Sequence, residues 1–141
     1  SSKKVLVFVP FKNVIDVLVD KLCKDNIPTE IIRGDVSPTK RTEIFQRFQE
    51  TPEPRVLVIQ PKAAAHGVTL TAADTIVWWG PTSSVETYEQ ANARIHRAGQ
   101  TSKCTVIQLQ GSHIEKRIYA LLDNKLDAHT KIIDLYKEIL A

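Results

Sequence analysis

Along this chain, continuous apolar runs alternate with segments whose apolar residues recur every three or four positions. The runs VLVFV (Val5–Val9), TEIIR (29–33), RVLVIQ (55–60), DTIVWW (74–79) and KCTVIQLQ (103–110) predict five strands. Strands covered by helices on both faces read as near-continuous hydrophobic runs, so the pattern predicts a parallel sheet rather than hairpins. Pro10 stops the first run, and Asn13 is placed to cap a helix that carries Val14, Val17, Leu18 and Leu22 inward. Ser37 followed by Pro38 pairs a cap with a first-turn proline, and Ile44, Phe45 and Phe48 mark the inner face of that helix, which ends before TPEP. A further helix is expected from about Ser84 to Arg97. Ser112 with Glu115 forms a capping box opening a long C-terminal helix from about residue 112, whose Ile114, Ile118, Leu121 and Leu122 have core spacing. The expected fold is a single α/β domain over residues 1–141, an open, mainly parallel sheet with helices on both faces.

In such sheets ligands bind beyond the carboxyl ends of the strands, which directs attention to three segments. In QANARIHRAGQ (90–100), Gln90, Arg94 and Arg97 fall within about 60° of one another on a helix turning 100° per residue. One amide and two guanidiniums on one stripe suit phosphate oxygens, because each guanidinium is a planar fork of donors with a permanent charge. The spacing alone fits a solvated basic helix face equally well. His96 lies on another side and reads as a packed or exposed histidine. In QPKAAAHGVTLTAAD (60–74) the small residues would let backbone approach a ligand, and Gly67 can take a conformation that other residues resist. An ordinary loop with a short Ala-rich turn has the same composition. Arg33–Gly34–Asp35 reads first as a plain turn before a capped helix.

Composition narrows the class only a little. The 141 residues, 43% hydrophobic and 25% charged, fit one globular domain. A formal charge of +3 permits contact with nucleic acid without requiring it. No apolar run is long enough to cross a bilayer and no signal-peptide pattern opens the chain, so no membrane role is expected. Cys23 and Cys104 lack metal-knuckle spacing and read as two buried thiols in a reducing compartment. The chain has no methionine and begins almost on its first strand, as a domain taken from a longer protein would, and as natural removal of an initiator methionine would equally leave it. None of the five glycines is followed by lysine, so the GxxxxGK[ST] phosphate loop is absent. An adjacent Asp-Glu pair after a strand, which would hold Mg²⁺, is absent too. The chain is thus expected to touch phosphates while being unable to hydrolyse ATP alone.

Taken together and in order, these segments resemble the C-terminal RecA-like domain of superfamily-two helicases, in the branch of SWI/SNF-like DNA translocases and their bacterial and phage relatives. QANARIHRAGQ is similar to motif VI, with the Q-x-x-x-R-x-x-R core and the G-Q ending of that branch. AAAHGVTLTAADTIVWWGP resembles motif V and its extension, VLVFVPFKNVIDVL motif IV, and IIRGDVSPTKRTEIFQRFQ the segment after it. The likeness runs from Lys3 to about Lys125. Thr69 stands where the family usually has Asn, and Gln60-Pro61 replaces the more usual Ser or Thr.

The resemblance implies the second motor domain of an ATP-dependent nucleic-acid helicase or translocase, with DNA the favoured substrate. The N-terminal RecA-like domain of the same protein would supply most of the ATP and Mg²⁺ site. This chain would supply Arg94 and Arg97 as arginine fingers, Gln90 as a nucleotide sensor, and Gly67 and Thr69 on the sugar side. Arg33, Gly34, Gln60, Pro61, Lys62, Ala63 and Ala64 would line the nucleic-acid track. The isolated domain is expected to be monomeric and inactive. Its expected location is intracellular: cytoplasmic, in the host cytoplasm if phage-encoded, or nuclear if eukaryotic. The competing readings are a non-catalytic nucleic-acid-binding module of the same fold and a different α/β phosphotransferase. Against the latter stands the lack of a phosphate-binding glycine loop or nucleophile–base pair.

Overall fold

The computed structural model describes residues 4–64, 70–82, 84–95 and 104–125. Five strands form one sheet: β1 (Lys4–Phe8), β2 (Thr29–Ile32), β3 (Val56–Ile59), β4 (Ala73–Trp78) and β5 (Thr105–Gln108). Their order across the sheet is β2-β3-β1-β4-β5, and every pairing is parallel. Four helices connect or follow them: α1 (Lys12–Lys24), α2 (Pro38–Glu50), α3 (Val85–Asn92) and α4 (His113–Asp123). This is the RecA-like architecture. Because all strands point the same way, all five carboxyl ends lie on one edge. The chain first builds to one side of β1 and then to the other, so the topological switch point falls between β1 and β4.

Side chains alternate across each strand, and that alternation divides the core in two. Leu6, Phe8, Leu57, Ile59, Ile76 and Trp78 pack with Ile44 and Phe48 of α2, Tyr88 and Ala91 of α3, and Ile118, Tyr119 and Leu122 of α4. On the opposite face Val7, Val9 and Val58 pack against Ile15, flanked by Val14, Leu18, Val19 and Leu22 of α1. The amine of Lys4 is buried at the end of α2. It donates to the Phe48 and Thr51 carbonyls and lies 4.8 Å above the Phe48 ring, closing the last turn of that helix. Burial lowers its pKa.

Several local expectations change. The N-cap of α1 is Phe11, with no side-chain cap, because the helix already includes Asn13. Val17 is 71% exposed, and the buried residue on that helix is Ile15. The stripe therefore turns one step from the expected register. Cys23, expected to be buried, lies on the exposed side, and Cys104 is only half-buried. The helix expected to run to Arg97 is α-helical only to Asn92 and tightens to a 3-10 turn over Ala93–Ile95. α4 stops at Asp123, with Lys125 in the left-handed region at φ 60°, so the long C-terminal helix ends there as a helix; residues 126–141 lie outside the described set. β5 is an edge strand whose Val106 and Ile107 stay exposed, unlike the fully buried β3. Ser37 caps α2 as expected, accepting from the Lys40 N–H at 3.2 Å. Ser112 accepts likewise from Glu115 at 3.2 Å, although the Glu115 carboxylate takes its return bond from Gly111.

Candidate functional site

The residues singled out after β2 and β3 meet. The Arg33–Val36 turn closes with a Val36 N–H to Arg33 carbonyl bond of 3.1 Å. The Gly34 N–H donates to Gln60 Oε1 at 3.1 Å, so Gln60 at the end of β3 ties the two segments together. Arg41, from the first turns of α2, grips the same turn. Its Nε donates to the Val36 carbonyl at 3.0 Å, and its Nη2 to those of Arg33 and Gly34 at 3.1 and 3.2 Å. The Arg33 guanidinium faces Asp16 of α1 at 2.9 Å and Asp35 at 3.6 Å. Lys62 is exposed, whereas Pro61 is buried and Ala63 packs on the larger core, so in this short 3-10 turn Lys62 presents its side chain and its neighbours anchor the backbone. Ala64 belongs to the same turn.

Across the switch point, Phe11 after β1 leans on Gly80 after β4. A Cβ placed on Gly80 would lie 2.9 Å from the edge of the Phe11 ring, so a larger residue there would push that exposed ring aside. Phe11 and Trp79 stay 51% and 40% exposed on this edge.

The third segment carries Gln90 and Arg94. Ser84 starts α3, accepting from the Thr87 N–H at 3.2 Å. Gln90 donates to Glu86 at 3.2 Å, and the half-buried Arg94 donates from Nε to the Gln90 carbonyl at 2.8 Å. That bond ties the Arg94 side chain to the backbone one turn earlier, while the Gln90 amide is turned to Glu86. The Leu70 N–H donates to the Arg94 carbonyl at 2.6 Å, joining the segment before β4 to this turn. Gln49 of α2 brackets the same segment, donating to Thr71 and accepting from the Ala72 N–H at 2.8 Å. Gly67, Thr69, His96 and Arg97 lie outside the described residues.

Below α3 lies a buried stack. The Trp78 ring sits 4.9 Å from both Phe8 and Tyr88, and its Nε1–H donates to Asn92 Oδ1 at 2.8 Å. The Tyr88 hydroxyl donates to Asp123 at 3.0 Å and accepts from Gln108 at 2.6 Å. Burial raises the Tyr88 pKa, helped by the Asp123 charge and opposed by hydrogen bonds from Gln108 and Asn92. Burial likewise holds Tyr119 above its ordinary range, with Glu115 adding to the effect. Arg41, Gln49 and Asn92 escaped the sequence reading. The two α2 residues act on loops far along the chain and carry no local signal. Asn92 left one: it is a poor helix former one turn after an aromatic.

Chemically, the arrangement offers a guanidinium held at Arg94 on one side and the exposed Lys62 amine on the other, cationic donors matched to anionic oxygens. Among the described residues no group of three or more His, Cys, Asp or Glu could hold a metal ion.

The sequence profile of the helicase conserved C-terminal domain matches residues 1–99. An uncharacterized ATP-dependent helicase of Mycoplasma genitalium is 31% identical over 138 residues, covering 94% of this chain and 13% of the relative. The SWI/SNF-related matrix-associated actin-dependent regulator of chromatin subfamily A-like protein 1 of Xenopus tropicalis is 34% identical over 108 residues, covering 74% of this chain and 11% of its own length. The chain therefore spans only a small part of the curated relatives it matches. Among solved structures, the C-terminal part of the Fun30 ATPase domain superposes with a TM-score of 0.77 at 25% identity, covering 85% of this chain and 39% of that one. The C-terminal domain of the DEAD-box protein Dbp5 shares the fold, with a TM-score of 0.76 at 19% identity, covering 89% of this chain and 71% of its own.

Proposed function

Because this chain belongs to the helicase conserved C-terminal domain family, we propose that it is the second motor domain of an ATP-dependent nucleic-acid translocase or helicase acting on DNA. In this reading a first RecA-like domain of the same protein holds ATP and Mg²⁺, and this domain closes on them. The observation that carries it is the placement of Arg94. Its Nε is committed to the Gln90 carbonyl and its own carbonyl to Leu70, so the remaining N–H groups of its fork are aimed by backbone on both sides. ATP supplies the phosphoryl group. Arg94, with Arg97 three residues on, would stabilise the charge that develops on it, an effect of about 10³ to 10⁵ in rate for such fingers. Gln90 would report the state of the nucleotide through the same bond, with Gly67 and Thr69 toward the sugar.

The nucleic-acid backbone would cross the joined turn of Arg33, Gly34 and Gln60 and the Pro61–Ala64 segment, with Lys62 as the charged contact and little preference for sequence. Closure of the two domains then couples hydrolysis to movement along the strand or duplex. The test is ATPase activity of the full-length protein with single-stranded DNA, double-stranded DNA and RNA in turn. Stimulation by DNA supports the reading, while turnover indifferent to all three would sink it. The isolated 141-residue domain should hydrolyse no ATP, and a robust metal-dependent activity from it would contradict the half-site.

A further inference from the structure

Asn is an unfavourable choice inside a helix, since its amide competes with the backbone for hydrogen bonds. Asn92 nevertheless occupies the last α-helical residue before the 3-10 turn that carries Arg94. Its side chain is half-buried, and its Oδ1 accepts from the Nε1–H of Trp78, a residue with no exposed surface. A buried indole N–H needs a partner, and an unmet one is costly. Trp78 belongs to the central part of the sheet, flanked by β1 and β5, and its ring is wedged between Phe8 and Tyr88. Tyr88 and Asn92 are one helical turn apart, so α3 meets this ring twice, through Tyr88 face contact and through the Asn92 amide. Immediately beyond, the helix tightens, and the Arg94 carbonyl receives the Leu70 N–H. The Trp78–Asn92 bond thus lies at the point where the helix changes pitch, two residues before Arg94.

We propose that Asn92 is a positioning residue for phosphoryl transfer: anchored on the Trp78 indole, it holds the pitch change in α3 that aims the Arg94 guanidinium. The inference rests on the finger reading of Arg94. A finger displaced by an ångström loses much of its effect, so removing the bond should lower turnover while leaving ATP binding alone.

The experiment uses the full-length protein and three substitutions besides Arg94→Ala. Trp78→Phe keeps an aromatic ring in the stack but removes the donor, Asn92→Leu removes the acceptor, and Asn92→Asp keeps an acceptor oxygen. Steady-state ATPase with saturating nucleic acid should show kcat reduced about tenfold in Trp78→Phe and Asn92→Leu, with KM for ATP within about twofold of wild type. The double variant should be no slower than Asn92→Leu alone, because the Trp78 bond is already gone there, whereas Asn92→Leu also loses the Asn92 bond to Tyr88. Asn92→Asp should restore most of kcat. A purely structural role would instead lower the melting temperature of Asn92→Leu and spare kcat below the melt. If Asn92→Leu fails to fold, Trp78→Phe and Asn92→Asp decide the matter. Wild-type kcat in Trp78→Phe, or additive losses in the double variant, would overturn the proposal. Normal turnover in Arg94→Ala would instead remove the finger reading beneath it. A slow Arg94→Ala beside a normal Trp78→Phe rejects the positioning role alone.

Discussion

The two candidate contact regions on the carboxyl edge are held in place by different physics. The turn after β2 is gripped from outside, by the Arg41 guanidinium on three carbonyls, by Asp16 on Arg33 and by the Gln60 amide on Gly34. The turn carrying Arg94 is held from inside, by a backbone bond to Leu70 and by the buried Trp78 stack. Polar clamps that are partly open to solvent, as around Arg33 and Arg41, are partly screened by salt, whereas buried ring contacts do not yield by degrees. A nucleic-acid track that must release and re-grip is served by the first arrangement. A charge that must meet a developing transition state without reorganising is served by the second.

The contrast can be broken most severely on the nucleotide side. Arg97→Ala in the full-length protein should leave ATP binding nearly intact and lower turnover at least about a hundredfold; steady-state kinetics with a nucleotide-binding titration check this. On the track side the loss should be smaller and of another kind. Arg41→Ala frees the carbonyls of Arg33, Gly34 and Val36, and nucleic-acid affinity should weaken by about tenfold with KM for ATP unchanged. A fluorescence-anisotropy titration at two salt concentrations measures it, and an unaltered affinity would show that the turn keeps its shape without the clamp.

Smaller again is Ser37→Ala, which removes the cap from the helix that bears Arg41. It should cost about 1 kcal/mol of stability in a denaturant titration. The smallest effect at neutral pH belongs to the inner region. Tyr119 is neutral in the fold and its pKa is raised by burial, and Tyr88 shifts the same way. Unfolded tyrosines titrate near 10. Below that pH both states hold the proton and the contribution to stability is constant; above it the unfolded chain loses protons that the fold retains, so stability falls as pH rises. Tyr119→Phe should flatten part of this alkaline loss, and an unchanged slope between about pH 10 and 12 would place the titration elsewhere.

Much of the fold could be read in advance. The five apolar runs became five strands, and parallel pairing followed from their lack of alternation. The Ser37–Pro38 start and the inner face of Ile44, Phe45 and Phe48 were equally legible, since caps and helical stripes are local features. The α1 register was not. Val14, Val17 and Leu18 form as good a stripe as Val14, Ile15 and Leu18 on paper, and only the sheet surface beneath decides that Val17 faces water. Of the site, Arg94 bonds the Gln90 backbone carbonyl while the Gln90 amide turns to Glu86, and Gly34 and Gln60 are joined by a bond between segments far apart in sequence.

By itself the order of residues determined the strands, the serine-capped starts of α2, α3 and α4, the missing phosphate loop and the spacing of the two arginines, because each depends on neighbours a few positions away. Tertiary structure alone decided where α3 tightens, which loops Arg41 and Gln49 secure, and that Asn92 meets a tryptophan fourteen residues earlier in the chain. Those outcomes depend on contacts between distant segments, and a buried donor finds its acceptor only after the sheet and helices have packed.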